Sequence, residues 1–564
     1  MPSTSSPSGS DPGSGSALRR YGPIAAIVAV IALIAGVVLL SGGDDDDVAS
    51  PGTTATGASA GDDGGGTSFS ENEAQGLGLP FPDTCDQERG RVAVPLFFAP
   101  ECYADVADNG GATDDGVTAD AITVVVYRAP ETDPVLDFIL GSIQNDDTSQ
   151  QAADTYAGLT ELFNTTYQTY GRRVELQFLE ATGDSTNEGA ARADAIRAAE
   201  EMGAFAVWGG PALNGAWSEE LNARGVLCMG CFGVSEPEPN VFTVVPSAAQ
   251  NRVHLVEYVT KKLARRPADH AGDPVYQSQE RVFGHLWIET SPSSATEAAT
   301  LASTLGEQGV DIVESIPFDL LRATELAPGI IQRFKEAGVT SVIIQGDPST
   351  PAIFTTAATD QEWFPEWIIG GSALMDLTAF GRTYDQEQWA HAFGISSLTA
   401  RSAPGVGGAD ALYQWFHGTP PPADDTAGVL LPQPLIFFNA LQAAGPNLTT
   451  DTMRAALYAI APGEASITQP RFSYGDHGIY PGIDPPDHAG IDDYTEIWYD
   501  PTVGGEDEIG RDGVGAYRYV DGGRRYLPGE WTDEDRAFDP EGAIAVYTEP
   551  PEAEQAVDYP PPGG

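Results

Sequence analysis

Between Val174 and Pro211 the apolar positions change period twice. Val174, Leu176 and Phe178 alternate as in a strand, and Leu179 extends the burial to both faces. Ser185 followed three residues later by Glu188 is a capping box that opens a helix. Ala193, Ile196, Ala199 and Met202 hold one face of that helix, and Gly203 stops it. Phe205 to Trp208 is a short apolar strand, broken by Gly209-Gly210-Pro211. Strands joined by such a helix lie parallel, with a right-handed crossover. In open parallel sheets the loops after the strands form the ligand crevice, so Asp184 and the run from Gly209 to Asn214 are expected to face a site.

The same alternation extends in both directions. Ile122 to Tyr127 predicts a first strand and Ala152 to Tyr170 an amphipathic helix; Asn214 to Arg224 predicts a helix leading to the strand Val226 to Met229. The pattern then restarts, with strands Arg281 to Ile288, Val310 to Ile316, the run VTSVIIQG, and Glu366 to Ile369. Helices Ala295 to Gln308, Gly329 to Ala337 and Ile353 to Ala358 alternate with them. Two such halves predict an α/β fold of two lobes with a cleft between their strand ends. Pro432 to Ala444 and Thr449 to Ile460 read as further helices, and Thr495 to Tyr499 and Ala516 to Val520 as short strands. After Trp531 the chain is acidic and proline-rich, which predicts a loose tail over 536–564.

The N-terminal pattern differs. Residues 1–16 are rich in Ser, Gly and Pro, Arg19 and Arg20 precede an apolar run from Ile24 to Leu40, and Asp44 to Asp47 follow it. The charge asymmetry places 1–20 in the cytoplasm, a single transmembrane anchor at 21–42, and the bulk of the chain outside. No cysteine follows the run, so a lipoprotein anchor does not fit, and a cleaved signal is the competing reading of the anchor. Residues 43–80 read as a flexible linker with a reach of about 30 Å.

Composition narrows the function. With 28 basic against 82 acidic residues and a formal net charge of −54, the surface repels phosphate backbones, which excludes nucleic-acid binding. The four cysteines form two close pairs. Cys85 and Cys102 suit a disulfide that staples an extension over 81–115. Cys228 and Cys231 form C-x-x-C at a strand end, which fits a disulfide, two packed thiols or a redox pair.

The ordered series GVTADAITVVVY, the unit from Val174 to Pro211, GVLCMGCFG with NVFTVVPSAAQNRVHLVEYV, IIQRFKEAGVTSVIIQGDPSTPAIFTTA, EWIIGGSALMD and LIFFNALQAAGPNLTTDTMRAALYAI resembles the type I periplasmic binding proteins of the leucine/isoleucine/valine-binding family. The resemblance spans roughly 116–465 and implies two Rossmann-like lobes with parallel sheets, joined by a three-crossing hinge. It places the first lobe at 116–247 and 397–465 and the second at 248–396 and 466–535. It implies a receptor that closes on a small polar or amino-acid-like solute and hands it to the permease and ATPase subunits of an importer, with no cofactor. Implied ligand-binding positions in the first lobe are Tyr127, Arg128, Gly210, Pro211, Ala212, Leu213, Asn214, Cys231, Phe232 and Gly233. In the second lobe they are Trp287, Glu289, Gly346, Asp347, Gly371, Ser372 and Asp376. Amino-acid-binding relatives tend to offer a hydroxyl from the first lobe and an acidic residue after the strand matched by EWIIGG. Here Ala212/Leu213, Phe232-Gly233 and Ser372 hold those places, which argues against a plain aliphatic amino acid unless Asp347 or Asp376 substitutes.

Other conspicuous residues admit bland readings. Asp484, Asp487, His488, Asp492 and Asp493 fit no EF-hand spacing and read as a solvated acidic loop rather than a metal site. The histidines form no cluster, and neither a G-x-S-x-G elbow nor a phosphate-binding loop is present. The chain therefore reads as a non-enzymatic, membrane-tethered solute receptor. A ligand-sensing ectodomain of the same fold is the alternative, and an enzyme using the cysteine pair a distant third.

Overall fold

The computed structural model describes residues 65–130, 133–134, 145–211, 214–231, 238–290, 292–371, 374–403, 408–483 and 487–562. The predicted anchor, and Ala212, Leu213, Phe232, Gly233 and Ser372, lie outside the described residues.

The first lobe is a five-stranded parallel sheet of β1 (Ala121–Arg128), β2 (Arg173–Glu180), β3 (Ala206–Trp208), β4 (Leu227–Met229) and β5 (Val241–Phe242), in the order β2-β1-β3-β4-β5. Alternation along β1 sorts its two faces. Val124 and Val126 join a core with Leu159, Leu162 and Phe163 of α1 (Ser149–Thr166). Val125 and Tyr127 join one with Ala191 and Ala195 of α2 (Glu188–Ile196) and with Trp217 and Leu221 of α3 (Ala216–Ala223).

The second lobe repeats this winding. Beyond the connecting helix α4 (Ala248–Tyr258) come β6 (Phe283–Ile288), α5 (Pro292–Glu307), β7 (Ile312–Phe318), α6 (Ala323–Glu336), β8 (Ser341–Gln345), α7 (Thr350–Asp360), β9 (Glu366–Gly370) and β10 (Ala392–Ser396). The strands lie parallel in the order β7-β6-β8-β9-β10. After α8 (Gly408–His417), α9 (Pro432–Ala444) and α10 (Thr450–Ala459), the antiparallel strands β11 (Tyr494–Glu506) and β12 (Asp512–Tyr519) extend this sheet beyond β10. The two sheets are separate.

Among the described residues one helical run, Ala427–Ala444, is long and apolar enough to cross a membrane, with mean hydropathy 1.3 over 18 residues. It is 89% buried and packs into the first core through Leu435, Phe437, Phe438 and Leu441, so its apolarity serves the fold.

Three expectations, on the linker, the third crossing and the acidic loop, are corrected, whereas the Cys85–Cys102 staple forms as expected. The linker does not reach 80: Phe69–Gln75 is a short helix capped by Ser68, and Gly66 N donates to Ala443 O. The extension bonded by Cys85–Cys102 contributes Val92, Val94 and Phe98 to the first-lobe core. The third crossing lies later than 465, because Phe472 pairs with Ile491 and Ala489 with Thr243, adding both segments to the β5 edge of the first sheet. The described part of the acidic loop is not solvated either, Asp484 lying outside the described residues. Asp492 and Asp493 are each 1% exposed; Ser473 Oγ donates to Asp492, and Arg525 pairs with Asp493.

The lobes touch on the side where β1 and β9 end. Arg511, at the tip of the β11–β12 hairpin, reaches Asp425 at 2.9 Å, and Asp425 also accepts from Asp146 N just before α1. Glu508 of the same tip caps Thr378 and Ala379, shortly after β9.

Candidate functional site

In both lobes the strand order reverses once, between β1 and β3 and between β6 and β8, and ligand crevices form at the carboxyl ends of the strands at such switch points. Of the positions read from the sequence as ligand-binding, those among the described residues lie at or after the ends of these strands.

In the first lobe Tyr127 ends β1 with its ring edge-on to Trp217, centroids 5.0 Å apart. Burial first, then the carboxylates of Asp194, Asp133 and Asp184, push its phenol above the ordinary range, so it stays protonated and able to donate. Gly210 passes against the Trp217 ring, and Trp217 Nε1 donates to Gly209 O at 3.1 Å. Asn214 donates to Ser185 O and accepts from Ala216 N, joining the loop after β2 to the loop after β3. Ser185 donates from N and Oγ, each at 2.6 Å, to the fully buried Asp133. Cys228 and Cys231 are disulfide-bonded and buried beside these loops, and no free thiol occurs among the described residues. Arg128 is not free for a ligand anion: it forms an ion pair with Glu180, and its Nε donates to Ser149 Oγ at 2.8 Å.

The second lobe offers a directed chain of hydrogen bonds. Trp287 Nε1 donates to Ser315 Oγ (3.1 Å), which donates to His285 Nδ1 (3.3 Å). His285 Nε2 donates to Gln345 Oε1 (3.0 Å), and Gln345 Nε2 to Asn251 Oδ1 (2.8 Å). Asn251 Nδ2 ends the chain on the carbonyls of Gly370 and Gly371, at 2.8 and 3.1 Å. Because the Gln345 amide donates onward from nitrogen, its oxygen must accept, and this fixes the proton on His285 Nε2. Burial lowers the His285 pKa to about 4, so the ring is neutral at neutral pH, as the chain requires. The relay ties Trp287 and the turn after β9 to α4, the first helix beyond the hinge. Asn251, His285, Gln345 and Ser315 were missed from sequence. A signal existed for one of them: Asn251, His254, Leu255 and Tyr258 share one helical stripe, so polar residues occupy core positions.

Glu289 is exposed, and its backbone continues the ladder by donating to Phe318 O. Gly346 sits where a Cβ would lie 3.0 Å from the Phe318 ring. Asp347 accepts from Ser349 N, Thr350 N and Thr350 Oγ1, so it caps α7 rather than facing the crevice as a free charge. Asp376 is 3% exposed and accepts from Ser396 Oγ. Burial pushes its pKa to about 7, which makes it a carboxyl poised between its two protonation states. The carboxyl edges of the two sheets thus carry aromatic rings, backbone groups and hydrogen-bonding side chains.

A family profile described as periplasmic binding protein matches residues 145–480, more than half the chain. The chain belongs to the periplasmic binding protein family. Members of this family are solute-binding proteins rather than enzymes. Solved structures similar to this periplasmic binding protein include a solute-binding protein of an ABC transporter from R. palustris in complex with 4-hydroxybenzoate, at 14% identity and TM-score 0.47, covering 70% of this chain and 97% of that one. A branched-chain amino acid transporter substrate-binding protein from Streptococcus pneumoniae in complex with isoleucine is 12% identical, with TM-score 0.46 and coverage of 71% and 100%. A fatty acid ABC transporter substrate-binding protein from Thermomonospora curvata is 12% identical, with TM-score 0.46 and coverage of 78% and 99%. No curated protein matches the sequence.

Proposed function

We propose that this periplasmic binding protein is the extracytoplasmic receptor of an ABC-type importer and captures a small solute by closing its two lobes, without covalent chemistry. The observation that carries the reading is the twice-repeated strand order, β2-β1-β3-β4-β5 and β7-β6-β8-β9-β10, which puts a switch point at the carboxyl edge of each sheet. The mixture of indole, phenol, amide and backbone groups there suits a solute held by hydrogen bonds and ring faces. The partners of the loaded receptor are the permease and ATPase subunits. Tethering is by the apolar run from Ile24 to Leu40, with the N-terminus in the cytoplasm. Two disulfides support an oxidising compartment for the folded part.

The test combines mass spectrometry of small molecules carried through purification with a thermal-shift panel of amino acids, amides, ureas, aromatic acids and short peptides. A solute at 100 times its dissociation constant adds about 2.7 kcal/mol. Stabilisation by one class, with compaction in solution scattering, is the expected result. Failure of every class to stabilise or compact the protein would remove the receptor reading.

A further inference from the structure

The composition after Trp531 predicts a loose tail, yet residues 536–562 are laid down along the molecule. Ile544 exchanges backbone hydrogen bonds with Tyr519 of β12, at 2.7 and 3.0 Å, so the segment leaves from the second lobe. Val546–Tyr547 then pairs in parallel with Arg401–Ser402, in the second crossing, and Ala403 N donates to Tyr547 O. The Tyr547 hydroxyl donates to Ile467 O (2.6 Å) and Gly522 O (3.1 Å), which joins the segment preceding the third crossing to the second lobe. Glu554 accepts from Ser466 Oγ, Ile467 N, Thr468 N and Thr468 Oγ1, so one carboxylate gathers four donors from that segment.

The path ends on the first lobe. Trp415 of α8 donates from Nε1 to Tyr559 O at 2.7 Å. The Tyr559 hydroxyl donates to Asp86 Oδ2 (2.7 Å) and accepts from Arg89 Nη1 (3.0 Å), and this bond holds the Asp86 carboxyl below its usual range. Asp86 and Arg89 lie beside Cys85, whose disulfide to Cys102 fixes the extension to the first-lobe core.

We propose that residues 544–559 are a strap that runs from the second lobe, over the crossings, to the first lobe, and restrains the lobes from opening. The strap's contacts coexist with the Arg511–Asp425 contact between the lobes, so both restrain the same arrangement of the lobes. Hinge opening carries Tyr519 away from Asp86, and a segment bonded at both ends and in the middle must release one end. A receptor whose closed state is favoured in this way binds more tightly, in proportion to the closed fraction.

The experiment needs no solute, so it is independent of the receptor reading. Spin labels at Glu161→Cys on α1 and Glu336→Cys on α6, both exposed positions, report lobe separation by pulsed electron resonance. The full chain is compared with a chain ended at Thr548 and with the point variants Tyr559→Phe and Glu554→Ala, which touch no core residue. The expected result is a shift to longer distances with a broader distribution in all three, largest in the shortened chain. Unchanged distributions would overturn the strap, even with a lowered melting temperature, because a covering segment that only adds stability moves the second readout and not the first. Should the shortened chain fail to fold, the two point variants decide.

Discussion

Arg525 Nε stands 2.7 Å from Asp493 Oδ1, with both side chains 2% exposed, at the place where the connections between the lobes meet. The guanidinium also donates to Leu398 O, to Ser397 O (2.9 Å) and to Asp493 O (2.7 Å), so one side chain ties the second crossing to the third. A buried guanidinium bonded through all three of its nitrogens leaves several groups unpaired when it is removed. Arg525→Met is expected to destabilise the fold by about 3–5 kcal/mol in urea unfolding, because it strands the Asp493 carboxylate. The double variant Arg525→Met/Asp493→Leu is expected to recover much of that loss, as paired buried charges are often replaceable by apolar groups.

The turn after β9 depends on a missing side chain. Gly371 has φ +72°, and a Cβ there would lie 2.5 Å from Asn251 Nδ2, the atom that ends the hydrogen-bond relay. Gly371→Ala is expected to lose about 1–2 kcal/mol from backbone conformation alone, together with the bonds from Asn251 to the Gly370 and Gly371 carbonyls. Thermal unfolding reads the loss. NMR of the His285 ring reads the broken relay specifically: the Gln345 bond opposes the effect of burial, so its loss is expected to lower the pKa of the ring further.

Legibility in the sequence followed the range of the interactions. Strands such as VTSVIIQG and the Ser185–Asp194 region are written in local periodicity, and β8 and α2 form within a few residues of the expected places. The helix that begins at Asn187 uses that residue rather than Ser185 as its cap, because Ser185 is held by Asp133. The edge loops were legible because strand ends in a parallel sheet are predictable from the strands. The relay was not, since Trp287, Ser315, His285, Gln345 and Asn251 come from four separate elements. The strap was least legible: Tyr559 and Asp86 are 473 residues apart, and a run of Pro, Glu and Asp looks the same whether it is solvated or bonded along its length.

Asp376 gives the protein a pH dependence of definite sign. Its folded pKa, about 7, lies above the unfolded carboxylate value, with burial as the main cause. Between pH 4 and 7, both approximate bounds, the unfolded chain releases this proton while the folded chain holds it, so the contribution to stability is full below the unfolded value and falls as pH rises. Asp376→Asn removes the titration. The wild type is therefore expected to lose stability relative to Asp376→Asn across that interval, by an amount on the order of a few kcal/mol, in denaturant unfolding at several pH values. Parallel pH profiles would contradict the assignment.

The contact between the lobes is the counterpart of the strap, and its electrostatics are asymmetric. Oxygens of Asp146, Asp147 and Asp425 lie within 4.8 Å of one another, and Arg511 brings a guanidinium to 2.9 Å from Asp425. Burial pushes Asp147 and the nearby Asp410 up to about 6, with Asp424 adding to both and Thr426 donating to Asp147 in opposition. Arg511 is 36% exposed, so solvent screens the pair and its worth to global stability is at most about 1 kcal/mol. Because the pair bridges the lobes, its loss is expected to show in lobe separation more than in global stability. Arg511→Ala is expected to lengthen the distance between labels at Glu161→Cys and Glu336→Cys at pH 7.5, roughly a unit and a half above where Asp147 and Asp410 titrate. On moving to about pH 5 the two carboxyls, which lie on the first lobe with Asp425, take up protons and the negative charge that faces Arg511 falls, so the wild type is expected to open part of the way towards the variant while the variant changes little. A wild-type distance that ignores pH would show that these carboxylates do not draw the lobes together through Arg511 and that the strap alone sets the separation.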